Sequence, residues 1–194
     1  MNILADALPI EISIDGKLYS VECDFRVCLK TILAFEDDTL TPQEKQGILL
    51  SNTYGENIPG NIQEALDKAN WFLNGGKEPK GEGASSPRLY SFSKDANFIF
   101  AAFRQTHGID LQKVDLHWWE FLALFMDLGS ETTFSGLVGL RKRIKNGTAT
   151  KEERQAAREM GDMFDVPDPD TRTLDEKEQE REFMRLVAEG YTKS

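Results

Sequence analysis

Residues able to do chemistry are few in this chain, and their spacing argues against most of it. His107 and His117 are the only histidines. Zinc or iron sites take several ligands at defined spacing, whereas the one local pairing, His117 with Glu120, is a kind that helix surfaces produce constantly. Cys23 and Cys28 lie five positions apart, Cys28 inside a helical pattern. No Gly-x-Ser-x-Gly segment places a nucleophile on a strained turn. Both cysteines therefore read as small core residues. The acidic clusters Glu36-Asp37-Asp38 and 165–170 lack the glycine and terminal glutamate of a calcium loop. Gly75-Gly76-Lys77 has neither the spaced glycine nor the following Ser/Thr of a phosphate loop. The expectation is a protein that is not an enzyme and has no catalytic residue, cofactor or metal.

Charge and length narrow the alternatives. The 194 residues carry 23 basic and 33 acidic side chains, a net charge of -10 that repels a phosphate backbone. The one dense basic run, Arg141-Lys142-Arg143-Ile144-Lys145, closes on Asn146-Gly147, where cations complement a helix C-terminus. A small DNA-binding regulator using the helix from Thr133 to Lys145 is the alternative this run keeps open. The longest apolar run, Phe121 to Met126, is far short of the roughly 20 residues that span a bilayer. With no signal-like N-terminus and unpaired cysteines, the expected setting is cytoplasmic, with neither nucleic acid nor membrane as partner.

The elements that must position any binding surface are mainly helical. Ile10, Ile12, Ile14, Leu18 and Val21 alternate around Asp15-Gly16, which predicts a β-hairpin. Helix one opens at Asp24, helix two at Thr41-Pro42-Gln43-Glu44 with a capping box, running to about Asn52, and helix three spans 61–73 on Ile62, Leu66, Ala69 and Leu73 and stops at Asn74-Gly75-Gly76. Residues 75–88, with four glycines and two prolines, read as a flexible linker. Beyond it helices are expected over 95–107, 116–128, 133–145, 151–164 and 175–189, the last two capped by Thr150 with Glu153 and Thr173 with Glu176. The predicted architecture is mainly α: a hairpin and about eight helices, with a unit over 1–74, the linker, a helical domain over 89–165 and a C-terminal helical extension over 166–194.

The segment 116–128 stands out, because only His117, Glu120 and Asp127 interrupt its apolar circumference. Such a helix is either central to its domain or keeps a face for a partner. Asp115 is its expected cap, and Phe103 and its neighbours on the preceding helix should meet it. Trp118 and Trp119 diverge by about 100° around the axis and need not share one environment; the expectation is that both lie in the core, the alternative that one of them is an interface anchor. The candidate partner-binding residues are Trp118, Trp119, Phe121, Phe125 and Phe103.

Particular residues then carry a likeness. Leu8-Pro9, Asp15-Gly16 with Tyr19, Asp24-Phe25-Arg26, Glu44-Lys45, Tyr90-Ser91-Phe92, Asp95-Ala96, Ile99-Phe100-Ala101-Ala102-Phe103, Gly108-Ile109-Asp110-Leu111 and, above all, Leu116-His117-Trp118-Trp119-Glu120-Phe121 make the chain similar to the bacteriophage Gp-fifteen family over about residues 4–145. The resemblance implies a tail assembly chaperone of tailed phages and prophages of Gram-positive bacteria. It would hold the tape measure protein, the major tail protein or both in the host cytoplasm and be absent from the mature virion. Self-association is also open to it, and a structural minor tail or adaptor protein retained in the virion is the alternative. The family supplies no catalytic residues to carry over.

Overall fold

A computed structural model describes residues 2–77 and 88–166 of the chain. The fold opens with an antiparallel hairpin of β1 (Glu11–Ile14) and β2 (Lys17–Ser20), with Ile14 paired to Lys17 and Glu11 to Ser20. Asp15 and Gly16 both have positive φ, 48° and 73°, as a two-residue type I′ turn requires. Ile12 and Ile14 face inward, whereas Leu18, counted above with the apolar alternation, pairs with Ser13 on the outer face and is 62% exposed. The turn shifts the inward set on β2 to Tyr19 and Val21.

Seven α-helices follow among the described residues: α1 (Phe25–Glu36), α2 (Pro42–Tyr54), α3 (Ile62–Leu73), α4 (Ala96–His107), α5 (Trp118–Met126), α6 (Thr133–Lys145) and α7 (Lys151–Met160), with a 3-10 turn over Gly161–Met163. Local sequence sets most of the starts. Asp24 accepts the Arg26 amide at 2.7 Å, and both capping boxes, Thr41 with Glu44 and Thr150 with Glu153, are formed. The helix expected over 151–164 ends at Met160, where Gly161 adopts φ 53° and the chain tightens. The helix expected over 175–189, its cap Thr173 with Glu176, and the Pro-rich stretch before it lie outside the described residues.

Helix α3 buries Ala65, Ala69, Phe72 and Leu73 and leaves Ile62 exposed, a face turned by about one position from the expected one. The small residues admit close approach by β1 and α2. Of the stretch 75–88 read as a linker, the first two residues cap α3. The Gly76 amide donates to Trp71 O at 3.0 Å and the Gly75 amide to Phe72 O at 3.1 Å, both glycines at positive φ, which is a Schellman ending. Residues 78–87 lie outside the described residues. The buried cluster takes Phe25, Leu49 and Phe72 from the first half and Ile99, Phe103, Phe121 and Phe125 from the second, so the stretches 1–74 and 89–165 share one core.

Candidate interaction site

Helix α5 is pinned at its start by distant chain. An isolated antiparallel bridge joins Asp24 to His117, through Trp118 N–H to Cys23 O at 2.7 Å and Phe25 N–H to Leu116 O at 3.1 Å. The cap is His117, not Asp115: its Nδ1 accepts the Trp119 amide at 3.0 Å while Nε2 donates to Pro9 O at 2.9 Å. Those two bonds together assign the neutral tautomer with the proton on Nε2. Asp115 stays exposed, its carboxylate 3.9 Å from Arg26 Nη1. Arg26 closes the same corner, donating to Leu111 O at 3.0 Å and Val114 O at 2.7 Å with its guanidinium over the Phe25 ring.

Both tryptophans are buried, at 1% and 5% exposure, as the core reading expects, and neither is an exposed anchor. Neighbouring residues on a helix diverge, yet both indoles end at the C-terminus of α3. Trp118 Nε1 donates to Leu73 O at 2.9 Å and Trp119 Nε1 to Phe72 O at 2.8 Å. These are carbonyls of the last turn, which a helix cannot satisfy internally. Gly76 makes the approach possible, since a Cβ there would stand 2.6 Å from Trp119 Cη2.

The remaining site candidates are interior too. Phe121 is fully buried and stacks on Phe103 at 5.0 Å, Phe25 at 5.1 Å and Trp118 at 5.5 Å between centroids, so the aromatic faces of α4 and α5 meet as expected. Phe125 is buried among Tyr90, Phe92 and Phe134. None of Trp118, Trp119, Phe121, Phe125 and Phe103 forms an exposed surface. The outer strip of α5 carries Glu120, Ala123, Met126 and Asp127, with Met126 78% exposed.

A groove on the surface lies over two of the buried rings. Between α1 and α4 runs a groove of about 280 Å³ whose floor is Phe25 and Phe121 and whose apolar walls include Leu29 and Leu33 on one side and Ile99 and Phe100 on the other. Arg26 and Lys30 stand at its mouth with Gln112. Arg26 is spent on backbone carbonyls, which leaves Lys30 as the cation presented there. Glu36, at the end of α1, accepts from Ser91 Oγ at 2.7 Å and from the Phe92 and Ser93 amides at 3.1 Å, which ties α1 to the segment leading into α4.

The basic run has a role that its composition concealed. Arg141 is buried, not solvated; it makes a two-pronged ion pair with buried Asp95 at 2.7 and 3.0 Å and donates to the carbonyls of Phe164, Leu89 and Met163. Arg143 pairs with Glu153 at 2.7 Å. Cys28 is buried, and burial pushes its thiol up to about 12, while burial also raises Cys23. His107 Nε2 lies 2.9 Å from Leu124 O. Among the described residues no group of three or more His, Cys, Asp or Glu stands close enough to hold a metal ion, and no helix is long and apolar enough to cross a membrane.

The class these features define is a mainly helical protein with an N-terminal hairpin, built around a buried aromatic helix, with an apolar groove between α1 and α4. The chain belongs to the Bacteriophage Gp15 protein family, whose model matches residues 4–166. The likeness carried by the His117-Trp118-Trp119 region therefore extends through α7 as well. No curated protein and no solved structure matches the chain.

Proposed function

We propose that the protein is a non-enzymatic tail assembly chaperone, which holds the tape measure protein, the major tail protein or both in the host cytoplasm and leaves before the virion matures. The observation that supports this best is the groove between α1 and α4, an apolar slot in a phage-family chain that ends on the central stack at Phe121. An apolar helical stripe of a client inserts beside Leu29, Leu33 and Phe100, in the manner of a helix laid in a groove. The net charge of -10 keeps the loaded chaperone soluble, and weak reversible capture requires no nucleotide. A nucleic-acid role is less well supported, since Arg141 and Arg143 of the basic run are committed to Asp95 and Glu153.

Co-expression with the tape measure gene product, followed by pull-down and a solubility assay, tests the proposal. Leu33→Glu, at a partly exposed groove wall, is expected to reduce capture at least about tenfold while changing stability by less than about 0.5 kcal/mol. Unchanged capture by a folded Leu33→Glu protein removes the groove from the mechanism. Stoichiometric presence of the chain in purified virions, read by mass spectrometry, replaces the chaperone with a structural tail component.

A further inference from the structure

The last described residues are anchored beside the groove between α1 and α4. Asp165 O accepts from Lys94 Nζ at 2.9 Å, and Lys94 stands two positions before Ala96, which lines the α4 wall of that groove. Arg141 fastens the same turn by donating to the carbonyls of Met163 and Phe164, and Val166 is buried. Pro167 and Pro169 keep a helix from running on through this point. Residues 167–194 therefore start from a fixed point next to one end of the groove.

Their sequence matches the groove in length, polarity and charge. The helix expected over 175–189 brings Phe183, Leu186 and Val187 to one face, and Tyr191, one turn further on, continues it. Phe183 to Tyr191 is about 12 Å along a helix axis, the same span as the α1 wall of the groove from Phe25 to Leu33. Glu182 and Glu189, seven residues apart, border one side of that face. Lys30, at the mouth of the groove, is exposed and bonds no described group. A helix laid with its apolar face on Leu29, Leu33 and Phe100 brings a carboxylate to that cation.

We propose that residues 182–191 of this same chain fill the groove between α1 and α4 and yield it to a client. The proposal rests on the reading of that groove as the client site and adds a built-in competitor to it. Reach is no obstacle, since residues 167–182 extend to about 50 Å and the groove begins beside their anchor. A short tether holds its two ends at an effective concentration of about millimolar. An intrinsic affinity as weak as about 0.1 mM then keeps the groove about nine-tenths filled, which lowers apparent client affinity about tenfold. The idle protein thereby covers Leu29 and Leu33 with its own chain, and only a client that binds more tightly displaces it.

Photo-cross-linking of the full chain, with p-benzoylphenylalanine in place of Phe183 and the products mapped by mass spectrometry, tests the seat. Cross-links within one chain to residues 29–33 or 96–100 are expected. Cross-links to the surface formed by Ile144, Ala157 and Phe164, cross-links between copies, or none at all overturn the proposal. Competition is read by pull-down of the tape measure protein. Val187→Glu, on the apolar face, is expected to raise capture about tenfold, and Ala188→Glu, on the far side, to leave it unchanged; thermal melts establish that both variants fold. Equal capture by the two variants overturns the competition. Failure of this proposal and failure of the chaperone reading are distinguishable: groove cross-links without capture of any tail protein keep the seated segment and remove the chaperone, whereas capture without groove cross-links does the reverse.

Discussion

Gly76→Ala probes the seat of α5 on α3 more sharply than any tryptophan substitution, because it adds a single methyl group. Two costs combine. Gly76 has φ 77°, a left-handed conformation that costs an L-residue about 1–2 kcal/mol. The new Cβ would also meet Trp119 Cη2 at 2.6 Å, with Cζ2 at 3.1 Å and Cζ3 at 3.2 Å. Relief requires the indole to slide, which strains a packed core by about 1–3 kcal/mol and draws Nε1 away from Phe72 O, a buried bond worth about 1 kcal/mol. The expected loss is about 3–6 kcal/mol, a large share of the stability of an ordinary domain. Gly108→Ala is the control: Gly108 has φ 68° in the same left-handed region, and its Cβ would find no atom within 4 Å. It should cost only the conformational part, about 1–2 kcal/mol. Urea unfolding followed by tryptophan fluorescence measures both, and the difference isolates the indole contact. Equal losses within about 0.5 kcal/mol would refute the reasoning, since the Trp119 ring would then be yielding freely.

The buried pair gives a second expectation. Arg141→Ala leaves Asp95 buried without its partner and three carbonyls undersatisfied, so it should cost about 3–5 kcal/mol, whereas Lys142→Ala on the exposed side of the same helix stays within about 0.5 kcal/mol in the same assay. The third concerns alkaline pH. Burial holds Cys28 and the Tyr54 hydroxyl up at about 12, the latter donating to Ala65 O at 2.9 Å. The unfolded chain therefore loses these protons first, and stability that is full below about pH 9 should fall as pH rises toward 12. Tyr54→Phe should flatten the decline in melting temperature between pH 9 and 11; an unchanged slope would remove Tyr54 as a cause.

What could be read from sequence was local. The Asp15-Gly16 turn and the two boxes, Thr41 with Glu44 and Thr150 with Glu153, depend on residues within a few positions of one another, and each formed as expected. The site depends on distant partners. A histidine cap is not a usual signal, because the ring must be neutral and its other nitrogen engaged, here by Pro9, 108 residues away. Arg141 read only as a cation at a helix C-terminus because its partner Asp95 lies 46 residues upstream. The stop of helix three at Asn74-Gly75-Gly76 was local too, and the carbonyls of Trp71 and Phe72 complete it. That both adjacent tryptophans are interior also has a distant cause: neighbours on a helix diverge, but indole N–H groups seek acceptors, and two consecutive carbonyls at the end of α3 supplied them. The groove was invisible because Leu29 and Leu33 have the spacing of an ordinary apolar stripe, and only the placement of α4 beside α1 makes them line a groove.

The bridge between Asp24 and His117 also orders events during synthesis. Until α5 leaves the ribosome, Phe25 lacks its stacking partner Phe121, Cys23 O lacks the Trp118 amide and Pro9 O lacks His117. At translation rates of about 5–20 residues per second, the 108 residues from Pro9 to His117 take roughly 5–20 s to appear. The hairpin and first helices spend that interval without their closing contacts, and long-range pairing of this kind folds slowly even when the chain is complete. The nascent N-terminal half therefore passes through a sticky, unfinished stage of its own before it is able to shelter any other chain.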